Sequence, residues 1–522
     1  MSKIKILWAD DEIDLLKPHI LFLSQKGYEV STAESGYEAI ESIRNEHFDI
    51  VFLDENMPGI TGLEALSKIK LFKPNLPVVM ITKSEEEQIM ESAIGNKIAD
   101  YLIKPVNPMQ ILSACKKILD NKRLESQTAM ERYQQDFKLL NEIMSYKLNA
   151  AQWAEVYKRI VFWDTELVNS KDNGMIEVLN TQKNEANVNF SDFVEENYIS
   201  WIKNPDDEDT PLLSPFLMRE KVFPHLEDSS IESVFFVLVD CMRFDQWKTL
   251  QPTLEKYFNV TEESTYYSIL PTATGYCRNA IFAGMFPSEI AQNFPQYWVD
   301  DDEAEGKNLH EAELLAYQLK QYRINEKFTY KKVINYQHGK ELLENLKDLY
   351  HYRLNVIVYN FIDVLSHSRA ELNMIRELAR DEAAYRSLTQ SWFEHSPLLD
   401  IFKELSQRKV RIVLTTDHGS IMVTKPTRIV GDKDTTTNLR YKHGKNLSYE
   451  QSRHVFTIKN PLEAKLPKTN VTSTYVFAKE NYFFAYPNNY NYYVNYYKDT
   501  FQHGGISMEE MIVPVITLDT KY

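Results

Sequence analysis

Cysteine is scarce in this chain. Its 522 residues include three, Cys115, Cys241 and Cys277, with no CxxC spacing and an odd count, which favours a reducing cytoplasm. Long apolar runs are also missing. Segments such as VFFVLV and IVFLD are far too short to cross a bilayer, so no membrane insertion is expected. No charged-then-apolar leader opens the chain, and MSKIKILWADDE reads as a strand entering a folded domain. Positive charge is in deficit. The formal net charge of −16 argues against a chain that simply coats nucleic acid, because phosphate contacts need concentrated Lys and Arg. No internal repeat is evident. No helix-turn-helix pattern follows the first domain, which disfavours direct DNA binding.

What is present is ordinary in bulk and specific in detail. A hydrophobic share of 43% and a charged share of 26% suit soluble globular protein, and the length suggests roughly three domains. Residues 1–120 alternate short apolar runs (IKILWAD, YEVSTA, FDIVFLD, PVVMIT, ADYLIK) with amphipathic helical patterns. Five such units predict a doubly wound, flavodoxin-like parallel sheet with helices on both faces. Residues 121–204 form a second domain. The stretch from Lys122 to Leu167 contains no Pro and no Gly, and its apolar residues recur every three or four positions, so a helical linker is expected. NPDDEDTPLLSP is a turn-rich junction, and from 205 to 522 strand–helix alternation returns as an α/β domain.

The first domain carries acidic residues at predicted strand ends. Asp10 and Asp11 follow the first strand and Asp54 ends the third, so three carboxylates crowd one crevice. Such crowding is unfavourable unless a hard cation such as Mg²⁺ sits there. Asp54 is then the candidate nucleophile toward a phosphodonor. Thr82 ends the fourth strand and is placed to bond the new phosphoryl group; Lys104, before Pro105, is placed to pair with it. Tyr101 is placed to change its packing when Thr82 moves. This region resembles the receiver domain of two-component response regulators in its DD pair, the Asp54–Gly59 run, Thr82 and Lys104-Pro105. The resemblance implies phosphorylation of Asp54 by a histidine kinase and dimerisation on phosphorylation.

The third domain carries a different set of donors. Asp240 ends VFFVLVD; Asp363 and His367 lie four apart in FIDVLSHS; Asp417 and His418 are adjacent in LTTDHGS; His503 lies in QHGGIS. Thr272, in LPTATGYCR, is expected near the start of the following helix. Carboxylate, imidazole and hydroxyl donors without thiolate suit Zn²⁺ and also tolerate Mn²⁺. Two such ions about 4 Å apart would flank an in-line phosphoryl displacement. The Thr272 hydroxyl is the expected nucleophile, giving a phospho-threonine intermediate that is then hydrolysed.

The motifs VDCMRFD, PTATGYCR, FIDVLSHS, TTDHGS and QHGG resemble the alkaline phosphatase superfamily, and within it the PglZ branch, over about residues 215–522. That resemblance implies one zinc held by Asp363, His367 and His503 and a second held by Asp240, Asp417, His418 and the Thr272 oxygen. The arrangement of receiver, helices and PglZ domain resembles PorX-type response regulators, which are tied to type IX secretion. It implies a phosphodiesterase acting on oligonucleotides or cyclic nucleotides, with a PorY-type histidine kinase as partner.

Several further residues admit two readings. Arg243 either forks onto a substrate phosphate or pairs with Asp245. The stretch 425–453, with Arg440 and Lys442, is either a basic flap that guides an anionic substrate or a solvated loop. The Tyr-rich run 482–497 reads as half-buried strands rather than a base-stacking platform. His443 and His454 read as structural. The helical linker either relays dimerisation or is a passive spacer. The rival to an enzyme is a scaffold with structural zinc that, once phosphorylated, binds a partner such as a sigma factor.

Overall fold

The computed structural model describes residues 4–73, 76–83, 98–170, 173–299, 308–362, 379–432, 435–450 and 452–521. The chain divides into two compact units, Met1–Arg132 and Tyr133–Tyr522.

The first unit is built on five strands: β1 (Ile4–Ala9), β2 (Tyr28–Ala33), β3 (Ile50–Asp54), β4 (Val78–Thr82) and β5 (Asp100–Ile103). All pairings are parallel and the order is β2-β1-β3-β4-β5. Because β3 and β4 are buried throughout, each supplies residues to both faces. Val51 and Leu53 join one apolar cluster, and Ile50 and Phe52 the other. Local chemistry sets the helix starts. Ser35 accepts a bond from the Glu38 N–H, and Thr61 with Glu64 closes a reciprocal cap.

In the second unit, the stretch expected to be helical is helical, in Ala150–Ser170 and Asn173–Lys203 and in the end of Pro108–Met144. The remaining strands are β6 (Ser233–Val239), β7 (Phe258–Tyr267), β8 (Phe328–Val333), β9 (Leu354–Tyr359) and β10 (Val410–Thr415). They continue with β11 (Ile421–Val423), β12 (Lys425–Val430), β13 (Tyr441–Gly444), β14 (Ser448–Tyr449) and β15 (Val455–Ile458). The last four are β16 (Thr474–Ala478), β17 (Tyr482–Ala485), β18 (Thr500–Gln502) and β19 (Ile512–Thr520).

The main sheet has the order β7-β19-β10-β6-β9-β8. β10, β6, β9 and β8 run parallel; β19 is antiparallel to both β10 and β7. Along β6, side chains alternate between two cores: Phe235, Val237 and Val239 face one, Val234, Phe236 and Leu238 the other. The first core also contains Trp153, Phe190, Val194 and Trp201 from the helical stretch. The two segments that sequence divides near residue 204 therefore share one hydrophobic interior. Smaller sheets pair β11 with β18, order β14-β12-β17, and order β13-β16-β15. The Tyr-rich run departs from its expected form: β17 is followed by a helix, Tyr490–Tyr497, that carries exposed Tyr492 and Tyr493. Aromatic spacing of one, three and four serves a helix as readily as a strand, so alternation alone misled. Among the described residues no helix is long and apolar enough to cross a membrane.

Candidate functional site

In the first unit, adjacent parallel strands bring their carboxyl ends together. Asp10 follows β1, Asp54 ends β3, Thr82 ends β4 and Lys104 follows β5. Asp10, Asp11 and Asp54 each offer a carboxylate oxygen within 4.8 Å of the others. Asp10 and Asp54 are buried and Asp11 is exposed. The Lys104 ammonium lies 2.9 Å from Asp10 Oδ2 and 2.7 Å from Asp54 Oδ1. Burial raises the Asp54 carboxyl above the ordinary aspartate value, against the opposing pull of Lys104. Three carboxylates facing one ammonium leave negative charge in excess, and the donor set fits a hard, oxygen-seeking cation. Thr82 is buried, while Tyr101 is 37% exposed at the sheet edge.

In the second unit the same strand-end logic operates. Asp240 follows β6, and Asp417 and His418 follow the adjacent parallel strand β10. Their ligand atoms lie within 4.8 Å of one another, and all three residues are buried. The turn after Asp240 is made by Cys241 in a left-handed conformation, φ 64°, which aims its N–H at Asp417 Oδ1, 3.3 Å away. The His418 N–H donates to the same oxygen at 3.1 Å. Asp417 Oδ1 is thus held by backbone donors. Oδ2 accepts no hydrogen bond and has the Arg278 Nε at 3.4 Å.

The imidazoles are oriented by their second nitrogens. His418 Nδ1 lies 3.0 Å from the Gly419 carbonyl, and His503 Nδ1 lies 3.0 Å from the Thr272 carbonyl. A carbonyl can only accept, so each Nδ1 carries a proton, and in the neutral imidazole each Nε2 offers the lone pair. The two rings stack with centroids 4.2 Å apart, which joins His503 to the Asp240–Asp417–His418 group. Buried carboxylate and imidazole donors with lone pairs fixed in this way fit zinc. The Gly419 loop needs its glycine: a Cβ there would stand 1.9 Å from the Glu509 carbonyl oxygen. Gly504, at φ 122°, gives the turn after His503.

The two threonines of the PTAT run have different partners. The Thr272 hydroxyl, fully buried, donates to the Gly505 carbonyl at 2.9 Å and accepts from the Gly504 N–H at 3.0 Å. It is Thr274, at the start of the helix Thr274–Ala283, whose hydroxyl lies 3.1 Å from His418 Nε2. Asp363 and His367 lie outside the described residues.

Three expected substrate contacts are corrected. Arg243 is 1% exposed and forks onto Asp245, with Nε 2.8 Å from Oδ1 and Nη2 on Oδ2; this is the ion-pair alternative. Burial would raise the Asp245 carboxyl, but Arg243 and Arg386 hold it well below the ordinary range. Arg440 is fully buried and grips Glu510, with Nε 3.1 Å from Oε1 and Nη2 2.7 Å from Oε2. Lys442 is 1% exposed; its ammonium donates to the Thr436 carbonyl at 2.7 Å and lies 4.7 Å from the Tyr486 ring centre. Neither is a surface guide, because the stretch expected to be a flap folds into β12, β13 and β14 and turns these side chains inward. His443 stacks on Tyr475 and His454 on Tyr482.

The structure adds residues that sequence reasoning missed. Arg278 reaches the Asp240 carboxylate, Nη2 to Oδ2 at 2.8 Å, from within the quoted PTATGYCR motif. Glu510 accepts from the Gly505 N–H at 2.9 Å and shapes the loop that carries His503. Glu509 and Glu510 gave no signal in sequence, since an acidic pair at a helix start is commonplace.

Strand order and acidic crevice define the first unit as a receiver, and the second as an α/β domain with a buried donor cluster. Residues 6–116 match the response regulator receiver domain, residues 123–202 the PorX response regulator linker domain, and residues 217–518 the BREX system PglZ alkaline phosphatase-like domain. The chain belongs to the PglZ alkaline phosphatase-like family, in the PorX-type arrangement of receiver, linker and PglZ domain. The transcriptional regulatory protein ZraR of Klebsiella oxytoca is 31% identical over 130 residues, 25% of this chain and 29% of that protein. The transcriptional regulatory protein ResD of Bacillus subtilis is 31% identical over 128 residues, 24% of this chain and 52% of that protein. The chain thus spans about half or less of the length of these curated relatives. A CheY-like receiver domain protein from Methanospirillum hungatei is 30% identical, covering 23% of this chain and 96% of that one, with a TM-score of 0.23.

Proposed function

We propose that this chain is a response regulator whose Asp54 accepts a phosphoryl group from a histidine kinase and whose output domain is a di-zinc phosphodiesterase. The observation that carries the reading is the convergence of Asp240, Asp417 and His418 within 4.8 Å, with His503 stacked on His418. Asp240, Asp417 and His418 would hold one cation; His503, with Asp363 and His367 as the sequence motif implies, would hold the other. Zinc bound there supplies Lewis acidity and favours the ionised form of a nearby hydroxyl.

The chain's own residues do the rest. Thr272 is the nucleophile. Its oxygen is held by the Gly504 N–H, and its proton rests on the Gly505 carbonyl. These two bonds fix the position of the oxygen and so lower the cost of orienting the attack; the hydroxyl proton would pass to water once a bound cation favours the ionised form. The helix Thr274–Ala283 directly follows, and its N-terminal N–H groups favour a phosphoryl anion beside Thr272. The Thr274 hydroxyl, 3.1 Å from His418 Nε2, stands beside the lone pair that the cation would take, and would turn away from it once the cation is bound. Substrates are phosphodiesters such as oligonucleotides or cyclic nucleotides. The linker match supports the setting expected from the sequence, a cytoplasmic regulator of type IX secretion served by a PorY-type kinase, dimeric when phosphorylated.

Metal analysis and hydrolysis of an aryl phosphodiester test this. Wild type should carry zinc and turn over. Thr272→Val should lose turnover by about 1,000-fold or more while keeping zinc, and Thr274→Val by only about tenfold. Turnover that survives Thr272→Val, or a wild type that holds no metal, refutes the assignment.

A further inference from the structure

Arg278 sits where a cation would be expected to act. It is 1% exposed and makes four contacts with one guanidinium. Nη2 donates to Asp240 Oδ2 at 2.8 Å and Nη1 to Asn360 Oδ1 at 3.0 Å. Nε lies 3.1 Å from Glu311 Oε1 and 3.4 Å from Asp417 Oδ2. Asp240 and Asp417 are two of the three residues whose ligand atoms converge. Glu311, also 1% exposed, is fixed from behind: Lys332 Nζ lies 3.1 Å from its Oε2, which also accepts from the Tyr330 hydroxyl.

The charges of this cluster sum to a simple result. Among the described residues, three buried carboxylates (Asp240, Asp417, Glu311) face two cationic groups (Arg278, Lys332). Uncompensated carboxylates in a low-dielectric interior either take up protons or repel one another apart. Arg278 offsets part of this charge, because its fork reaches both strand-end aspartates from the neighbouring helix. It has the same sign as a metal and reaches the same pair of residues. Two positive centres that share two carboxylates compete for them.

We propose that Arg278 is a built-in counter-cation of the metal site: it balances Asp240 and Asp417 before metal arrives, and by its charge it sets metal affinity below what the carboxylates alone would give. This deepens, and rests on, the reading of Asp240, Asp417 and His418 as zinc ligands. Glu311 is the matching control on Arg278, since its carboxylate neutralises part of the guanidinium charge. A role in merely orienting the ligands predicts something different, namely that every disturbance of the fork weakens binding.

Zinc affinity of the full metal-free chain, measured by competition with a chromophoric chelator, separates the two. Arg278→Met should bind Zn²⁺ about tenfold tighter or more, because a repelling charge is gone. Arg278→Lys keeps the charge and loses the fork, so it should stay within about threefold of wild type. Glu311→Gln leaves the guanidinium less neutralised and should weaken binding by about tenfold. Equal or weaker binding by Arg278→Met overturns the proposal, as does equal or tighter binding by Glu311→Gln. If Arg278→Met does not fold, Arg278→Lys decides: affinity within about threefold of wild type supports the charge role, and a loss of about tenfold or more overturns it. A wild type that binds no zinc would instead count against the zinc-site reading on which the proposal rests.

Discussion

Lys442 shows how far the tertiary setting can move a single residue. Read in sequence it is one of seven cations in a polar stretch; in the fold it is 1% exposed, and burial lowers its pKa to about 7. The unfolded lysine keeps its ordinary, higher value. Between about pH 7 and pH 10 the unfolded chain therefore binds more protons than the folded one, and stability contributed at this position rises with pH. Below pH 7 the full penalty of a buried ammonium is present. Lys442→Met should stabilise the fold at pH 6 by on the order of 1–3 kcal/mol, seen as a higher thermal midpoint, and the gain should shrink toward pH 10. Thermal melts of both proteins across that range check it; a gain independent of pH would mean that lysine titration is not the cause. Arg243 and Arg440 tell a related story. Each guanidinium is gripped by a carboxylate close along the chain or across the fold, Asp245 for one and Glu510 for the other, and both side chains are buried.

At the scale of elements, the loops that bear His418 and His503 both lean on one short helix, Met508–Met511. The Gly419 N–H donates to the Glu510 carbonyl at 3.0 Å, and the Gly505 N–H to the Glu510 carboxylate at 2.9 Å. That helix is in turn held by the linker helix Asn173–Lys203. Asn187 accepts from the Met508 N–H at 2.9 Å and donates to Glu509 Oε2 at 3.0 Å, and Lys183 lies 3.1 Å from Glu509 Oε1. All of these groups save Lys183 are buried, so a lost partner leaves an uncompensated polar atom. Asn187→Ala should cost about 2–3 kcal/mol, read from the urea midpoint of the transition that includes the PglZ domain. An unchanged midpoint would mean that the linker helix does not support the site loops. The strands at this scale were legible in sequence: SVFFVLVD, VRIVLTT and NVIVYNF are continuous apolar runs, and each became a buried parallel strand. The helix Tyr490–Tyr497 was not, because an aromatic-rich run satisfies both periods at once.

At the scale of the whole molecule, residues 133–203 are part of the unit that carries the PglZ domain rather than a detachable spacer. Trp201 packs on Tyr267 of β7 with ring centres 5.7 Å apart, Phe190 on the same ring at 6.1 Å, and Tyr198 on Phe456 of β15 at 6.4 Å. Aromatic side chains of this size dominate core energetics, so removing them leaves a large apolar face on the sheet. A chain of residues 205–522 should fail to fold cooperatively and should bind hydrophobic dyes, whereas residues 133–522 should show a single sharp melt. A soluble, cooperatively melting 205–522 fragment would contradict this.

Residue type and spacing determined much of this protein before any fold was seen. Acidic residues stand at the ends of apolar runs, a Thr stands before a helix start, and His-Gly pairs mark tight turns. Such signals are local, so they survive in one dimension, and they sufficed to place Asp10, Asp54, Asp240, Asp417 and His418 near strand ends. Only the tertiary structure decided which charges meet which. Whether Arg278 faces Asp240, whether Arg440 faces Glu510, and whether Lys442 meets solvent depend on partners far apart in the chain. A lone Arg, Lys or Glu reads alike on a surface and in a buried pair, because its energy is set by the dielectric and the opposite charge around it, and neither is written in the neighbouring residues.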